Sequence, residues 1–163
     1  VIYIALLLHD IGKGQIEDHS VLGAKIARDV APRLGLNPRE SGNVEWLVRH
    51  HLLMSDMAQK RDIADPRTVR DFAKAVQSVK RLDLLTVLTV CDISGVGPGV
   101  WNNWKAVLIR ALYRQTKKAL ETGLEDLNRE NRGSEAKKNL RKVLKEWPKN
   151  SIKYETNRHY PPY

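Results

Sequence analysis

VIYIALLLHDIGKG, residues 1–14, decides how this chain is read. The run from Val1 to Leu8 is apolar, His9-Asp10 follows at once, and Gly12 and Gly14 come close behind. The run reads as the C-terminal part of a core helix that the two glycines stop. It is too short to cross a bilayer, which takes about 20 apolar residues. It also lacks the basic leader and small-residue cleavage site of a signal peptide. His9-Asp10 then stands at a helix C-terminus, where unpaired carbonyls and the macrodipole favour a cation. The chain opens without Met inside this run, so it is expected to be a piece of a longer protein.

Outward from that stretch, helical spacing recurs and no segment alternates with a period of two, so the expected fold class is all-α. Asp18 is a candidate N-cap for a helix carrying Val21, Leu22, Ile26, Ala27 and Val30, with a kink at Pro32 and an end at Gly35. Asn37-Pro38 repeats the start signal for a helix expected to carry Val44, Leu47, Val48 and His51 on one face. Asp65-Pro66 opens a third, with Val69, Phe72, Ala73 and Val76. Leu82–Ile93 is the most apolar helix, and the glycine-rich Ser94–Gly99 stretch ends it. Val100–Leu120 follows, and a charged helix is expected over Leu124–Trp147, broken near Gly133 and ended by Pro148.

Bulk composition narrows the class. At 163 residues, with 42% hydrophobic and 29% charged, the chain fits one globular domain with a real core. Its one cysteine, Cys91, excludes an internal disulfide framework and suits a reducing cytoplasm. Residues 1–100 hold 13 Lys/Arg against 12 Asp/Glu, whereas residues 101–163 hold 15 against 7. The positive excess therefore belongs to the C-terminal two-fifths. It either meets an acidic partner, nucleic acid or neighbouring domain, or is a solvated helix surface. Trp101, Trp104 and Tyr113, at i, i+3 and i+12 among these basic residues, read as a core stripe rather than a stacking platform, so nucleic acid is disfavoured.

The chemistry-bearing residues are His9, Asp10, His19, the His50-His51 doublet and Asp92. Imidazole and carboxylate without thiolate select Mn, Mg, Fe or Zn over a structural zinc knot. Two ions held together need one bridging carboxylate, and Asp10 is the natural bridge. His9 and Asp92 would complete one ion, His19 and the doublet the other. Such a pair clamps a phosphoryl oxygen and acidifies a shared water. Asp92, inside LLTVLTVCDI (84–93), needs a cation or a hydrogen-bond network, because an unpaired charge among apolar residues is costly. Helical neighbours point about 100° apart, so His50 and His51 cannot both face one ion unless the helix ends there. One of them is then a supporting partner or a substrate contact. Lys13 either neutralises a phosphate or is simply solvated. The constellation reads as a metal-dependent phosphohydrolase domain.

HDIGKG (9–14), DHSVLGA (18–24), the histidine doublet and the late apolar-helix aspartate resemble the HD superfamily of metal-dependent phosphohydrolases. WLVRHHLLMSDMAQKRDIADPRTVRDFA (46–73) and LTVCDISGVGPGVWNNWKAVLIRALY (88–113) narrow the resemblance to the HD domain of bifunctional uridylyltransferase/uridylyl-removing enzymes. That resemblance implies a helical globule of about six to eight helices over residues 1–147, with 148–163 a linker towards a further domain. It implies removal of UMP from a modified tyrosine of a PII-type signal protein, with glutamine as effector. Two divalent ions are implied, Mn or Mg ahead of Fe or Zn, on His9, Asp10, His19, His50, His51 and Asp92. Asp10, Lys13, His50 and His51 carry the catalytic roles. Another histidine ligand is expected upstream of Val1, and the transferase activity belongs to a domain outside this chain. Two other readings stay open: an HD-type nucleotide phosphohydrolase, and a non-catalytic glutamine-sensing domain.

Overall fold

The computed structural model describes residues 1–123 and, beyond them, only 136, 138–140, 142 and 151. The described residues form α1 (Ile2–Leu8), α2 (His19–Arg33), α3 (Pro38–Arg49), α4 (Leu53–Lys60), α5 (Pro66–Val76), α6 (Val79–Gly95) and α7 (Asn103–Thr122), with no strand among them. The all-α expectation holds. Val1–Thr122 is one compact unit and Gly123–Tyr163 another. The helix expected over Leu124–Trp147 and the tail from Lys149 lie outside the described residues, the scattered positions above apart.

Three helix starts follow their side-chain caps. Asp18 accepts from the backbone N–H groups of Ser20 and Val21, and Asp65 from that of Arg67. Asn37 and Glu40 form a reciprocal capping box, with Pro38 in the first turn, where a missing N–H costs nothing. Asn37→Ala is expected to lower stability by about 1 kcal/mol, read from the urea midpoint of the purified chain. Pro32 does not kink α2. It falls in the last turn, and the helix ends one residue later. Gly35, at φ +82°, then closes that end: its N–H donates to Pro32 O and that of Leu36 to Ala31 O. This left-handed position suits glycine because it has no Cβ.

A short loop joins α2 to α3, and His19 at the start of α2 meets His51 just past the end of α3. The two helices therefore run antiparallel. The face of α2 turned inward is Gly23, Ala24, Ala27 and Ala31, small side chains that let α3 come close. A Cβ on Gly23 would stand 3.0 Å from Val48 Cγ1. Val44, Leu47 and Val48 of α3 join Leu82, Leu85 and Leu88 of α6, Phe72 and Val76 of α5, and Leu112 of α7 in one core. Ala5 and Leu8 bring α1 onto it.

Three expectations are corrected. α3 stops at Arg49, so His51 lies in the turn beyond it rather than on its face. The helix over Leu53–Lys60 was not anticipated as separate: Leu52 occupies its N-cap with no side-chain bond, and neither glycine nor proline marks the break. Trp104 is 70% exposed, so it is not a core residue. The buried face of α7 is Ala106, Ile109, Leu112, Thr116 and Ala119. Trp104 stands two residues from Ala106, about 200° around the helix. Trp101 precedes α7 altogether.

Candidate metal centre

Five of the six expected ligand residues come together. His9 is the C-cap of α1, still in helical conformation, and its Nδ1–H donates to Leu6 O at 2.7 Å. His51, only 1% exposed, repeats the arrangement one helix end away, donating Nδ1–H to Val48 O at 2.7 Å. A carbonyl only accepts, so each neutral ring carries its proton on Nδ1 and keeps a lone pair on Nε2. Both Nε2 atoms point to Asp10.

Asp10 divides its two oxygens. His9 Nε2 lies 3.2 Å from Oδ2 and 3.3 Å from Asp92 Oδ1. His51 Nε2 lies 3.7 Å and His19 Nε2 4.0 Å from Oδ1, with 3.3 Å between those two nitrogens. The donor atoms thus form two groups, His9–Asp10–Asp92 and Asp10–His19–His51, each within 4.8 Å internally. Either group could hold a divalent ion. The donors suit such a group: lone-pair imidazole nitrogens and carboxylate oxygens on converging vectors, with no thiolate. Ring orientation fixed by a backbone carbonyl is the usual support for a ligating histidine.

Charge around the site agrees. Burial pulls the Asp10 carboxyl upward, but the Lys13 hydrogen bond and the nearby His9, Lys13 and His51 outweigh it, so the carboxyl stays below its usual range. Lys13 Nζ lies 2.5 Å from Asp10 Oδ2, and this bond raises the ammonium pKa. Burial is the main cause that holds His51 below the ordinary imidazole value, which favours the neutral, ligating form.

His50 is not brought to the cluster. Its ring packs on Trp46, 4.9 Å between centroids, and the Arg81 guanidinium lies over the same indole at 4.9 Å. Burial, then Arg49 and Arg81, lower its pKa. The helix ends at the doublet and sends the two rings apart, so the expected metal and catalytic roles of His50 find no geometric support. His50→Ala is expected to leave metal affinity within about twofold, whereas His51→Ala lowers it at least about tenfold, both read by calorimetric titration with Mn²⁺.

Sequence reading gave Gly12 and Gly14 only a helix-stopping role and missed the close approach at Gly12. Gly12 does not have positive φ; a Cβ there would stand 2.4 Å from His19 O and 3.0 Å from Gly23 N. The loop carrying Asp10 therefore lies directly on the first turn of α2. Gly14, at φ +85°, is the residue that turns the chain. The HxxxG spacing of His19 and Gly23 was the available signal, since it puts a small residue one turn behind the candidate ligand.

The described residues define a helical domain whose clustered imidazole and carboxylate donors could hold divalent metal. The family model for the HD domain matches residues 1–88, and the chain belongs to that family, whose members bind divalent metals. The chain is 73% identical over all 163 residues to the bifunctional uridylyltransferase/uridylyl-removing enzymes of Ruegeria pomeroyi and Cereibacter sphaeroides, and 51% to that of a Bradyrhizobium species. It spans 18% of the length of each. No solved structure matches it. No helix among the described residues is long and apolar enough to cross a membrane.

Proposed function

We propose that this domain performs the removing reaction of a uridylyltransferase/uridylyl-removing enzyme, hydrolysing the phosphodiester between UMP and a tyrosine of a PII-type signal protein. In this reading glutamine is the effector, and other domains of the parent chain supply uridylyl transfer. The observation that carries it is Asp10, whose two oxygens serve two separate donor groups. The names of the relatives support the substrate, and the HD family supports hydrolysis.

When bound, two divalent ions, Mn or Mg ahead of Fe or Zn, would supply positive charge to a phosphoryl oxygen and acidify a water. His9, Asp10 and Asp92 would hold one ion, and Asp10, His19 and His51 the other. Lys13 neutralises phosphate charge as a point cation, exchanging Asp10 for the substrate. The tyrosine phenol, with a pKa of about 10, leaves without a strong general acid once the phosphate is neutralised. Buried His51 donates its Nδ1–H to Val48 O, which leaves Nε2 to face the ion or the leaving oxygen.

The test is release of UMP from uridylylated PII-type protein by the full-length protein carrying this domain. Chelation is expected to abolish release, and Mn²⁺ or Mg²⁺ to restore it. Turnover of free nucleotides with no release from the protein would replace this reading by the nucleotide-phosphohydrolase one. Full activity after chelation would remove the metal from the mechanism.

A further inference from the structure

His50 and His51 are chemically equivalent donors on adjacent residues, their Cα atoms about 3.8 Å apart, yet only one of them meets the cluster. His51 is aimed by its Nδ1–H bond to Val48 O at 2.7 Å. Among the described residues the His50 ring makes no hydrogen bond; what places it is the indole of Trp46. The two rings are 4.9 Å apart between centroids and tilted by 41°. The His50 backbone is tied to the same residue, its N–H donating to Trp46 O at 3.0 Å.

The indole is itself held from other helices. The Arg81 guanidinium of α6 lies over it at 4.9 Å from the ring centroid, a cation–π contact. Arg81 in turn donates to Gln77 Oε1 at 2.8 Å. Gln77 ends α5 at φ +68°, the one non-glycine residue among the described ones in the left-handed region. Glycine usually takes such a position, and it would bring no side chain to hold Arg81. Three helices thus converge on this stack: α3 carries Trp46, α5 ends at Gln77, and α6 supplies both Arg81 and Asp92.

We infer that Trp46, held by Arg81, is a positioning residue of the metal centre: it seats the His50 ring away from the cluster, so that His51 alone of the doublet ligates. The inference rests on the metal-centre reading and adds to it how two adjacent imidazoles are told apart. Trp46 touches neither ion nor substrate and acts only through His50. Once unseated, the His50 ring competes for the place of His51, and a ring with no carbonyl to aim it is the poorer ligand. Loss of the seat therefore weakens the centre only while His50 is present to compete.

The test is calorimetric titration of the full-length protein with Mn²⁺, the signal being the binding that His51→Ala weakens. Trp46→Ala is expected to weaken it about tenfold, the lower end of what losing a ligand's support costs. Trp46→Ala/His50→Ala is expected to recover wild-type affinity within about twofold, because no competitor remains. Trp46→Phe keeps a ring under His50 and is expected to bind as the wild type does. Arg81→Met removes the cation over the indole and is expected to weaken binding about threefold, again only while His50 is present. Urea midpoints are read for each variant; should Trp46→Ala not fold, Arg81→Met with and without His50→Ala decides. An indole that is merely structural weakens binding equally with and without His50, and that result overturns the seat. Unchanged or tighter binding in Trp46→Ala and Arg81→Met overturns it too. Wild-type protein with no His51-dependent Mn²⁺ binding overturns the metal centre itself, and the seat falls with it.

Discussion

Asp10→Asn is expected to empty both donor groups at once, reducing divalent-ion affinity and uridylyl removal by more than about 100-fold. Substituting a mere support of a ligand typically costs 10–100-fold, so losing the one carboxylate common to both groups must exceed that. The amide keeps the shape of the side chain but offers a single neutral oxygen where two charged ones served His9–Asp92 and His19–His51. Metal content of the purified chain, by elemental analysis, reads the first effect, and UMP release by the full-length protein reads the second. Uridylyl transfer in the same protein is expected to persist. Circular dichroism should be unchanged, because the Asp10 side chain is one-third exposed and packs in no apolar contact of the core. Retention of metal at wild-type affinity would remove Asp10 as the shared ligand.

Gly12→Ala is expected to be the most disruptive single-methyl change near the site. The added carbon would meet two backbone atoms, His19 O at 2.4 Å and Gly23 N at 3.0 Å, and backbone cannot rotate away as a side chain can. Either the loop lifts from α2, or α2 shifts from α3 and loosens the contact of Gly23 with Val48. Overpacking of this kind costs about 1–3 kcal/mol. Because the displaced atoms carry Asp10 and His19, ion affinity at Asp10–His19–His51 should fall with stability. Gly14→Ala is the control: nothing lies within 4 Å of its Cβ, so it meets only the strain of φ +85°, about 1 kcal/mol. Denaturant unfolding of the two variants should rank Gly12 above Gly14, and the reverse order would disprove the close approach.

Much of the scaffold was legible because polar caps write helix starts into the sequence. Asp18, Asn37 and Asp65 act locally through the backbone N–H groups of the next turn, and all three were readable. The start of α4 was not, since its N-cap Leu52 makes no such bond. The failure at Trp104 was one of phase: its spacing is helical, but which face meets the core depends on what α7 packs against, chiefly α4, α5 and α6. Five clustered candidate ligands were legible from residue type, because imidazole and carboxylate near apolar runs demand partners. Which member of the doublet turns inward was settled only by where α3 ends, and Trp46 gives the other ring an apolar seat. The close approach at Gly12 depends on a residue of another helix, and no local pattern announces that.

The rings of His9 and His51 are aimed by main-chain oxygens three residues earlier in their own segments, Leu6 and Val48. Those acceptors belong to the peptide unit, which every amino acid shares. A saturation mutagenesis survey would therefore leave both contacts untouched and score Leu6 and Val48 only for their hydrocarbon. The orienting element is inherited with the helix turn itself, invisible to the genetic code, and only chemical editing of the backbone, amide to ester, would expose its contribution.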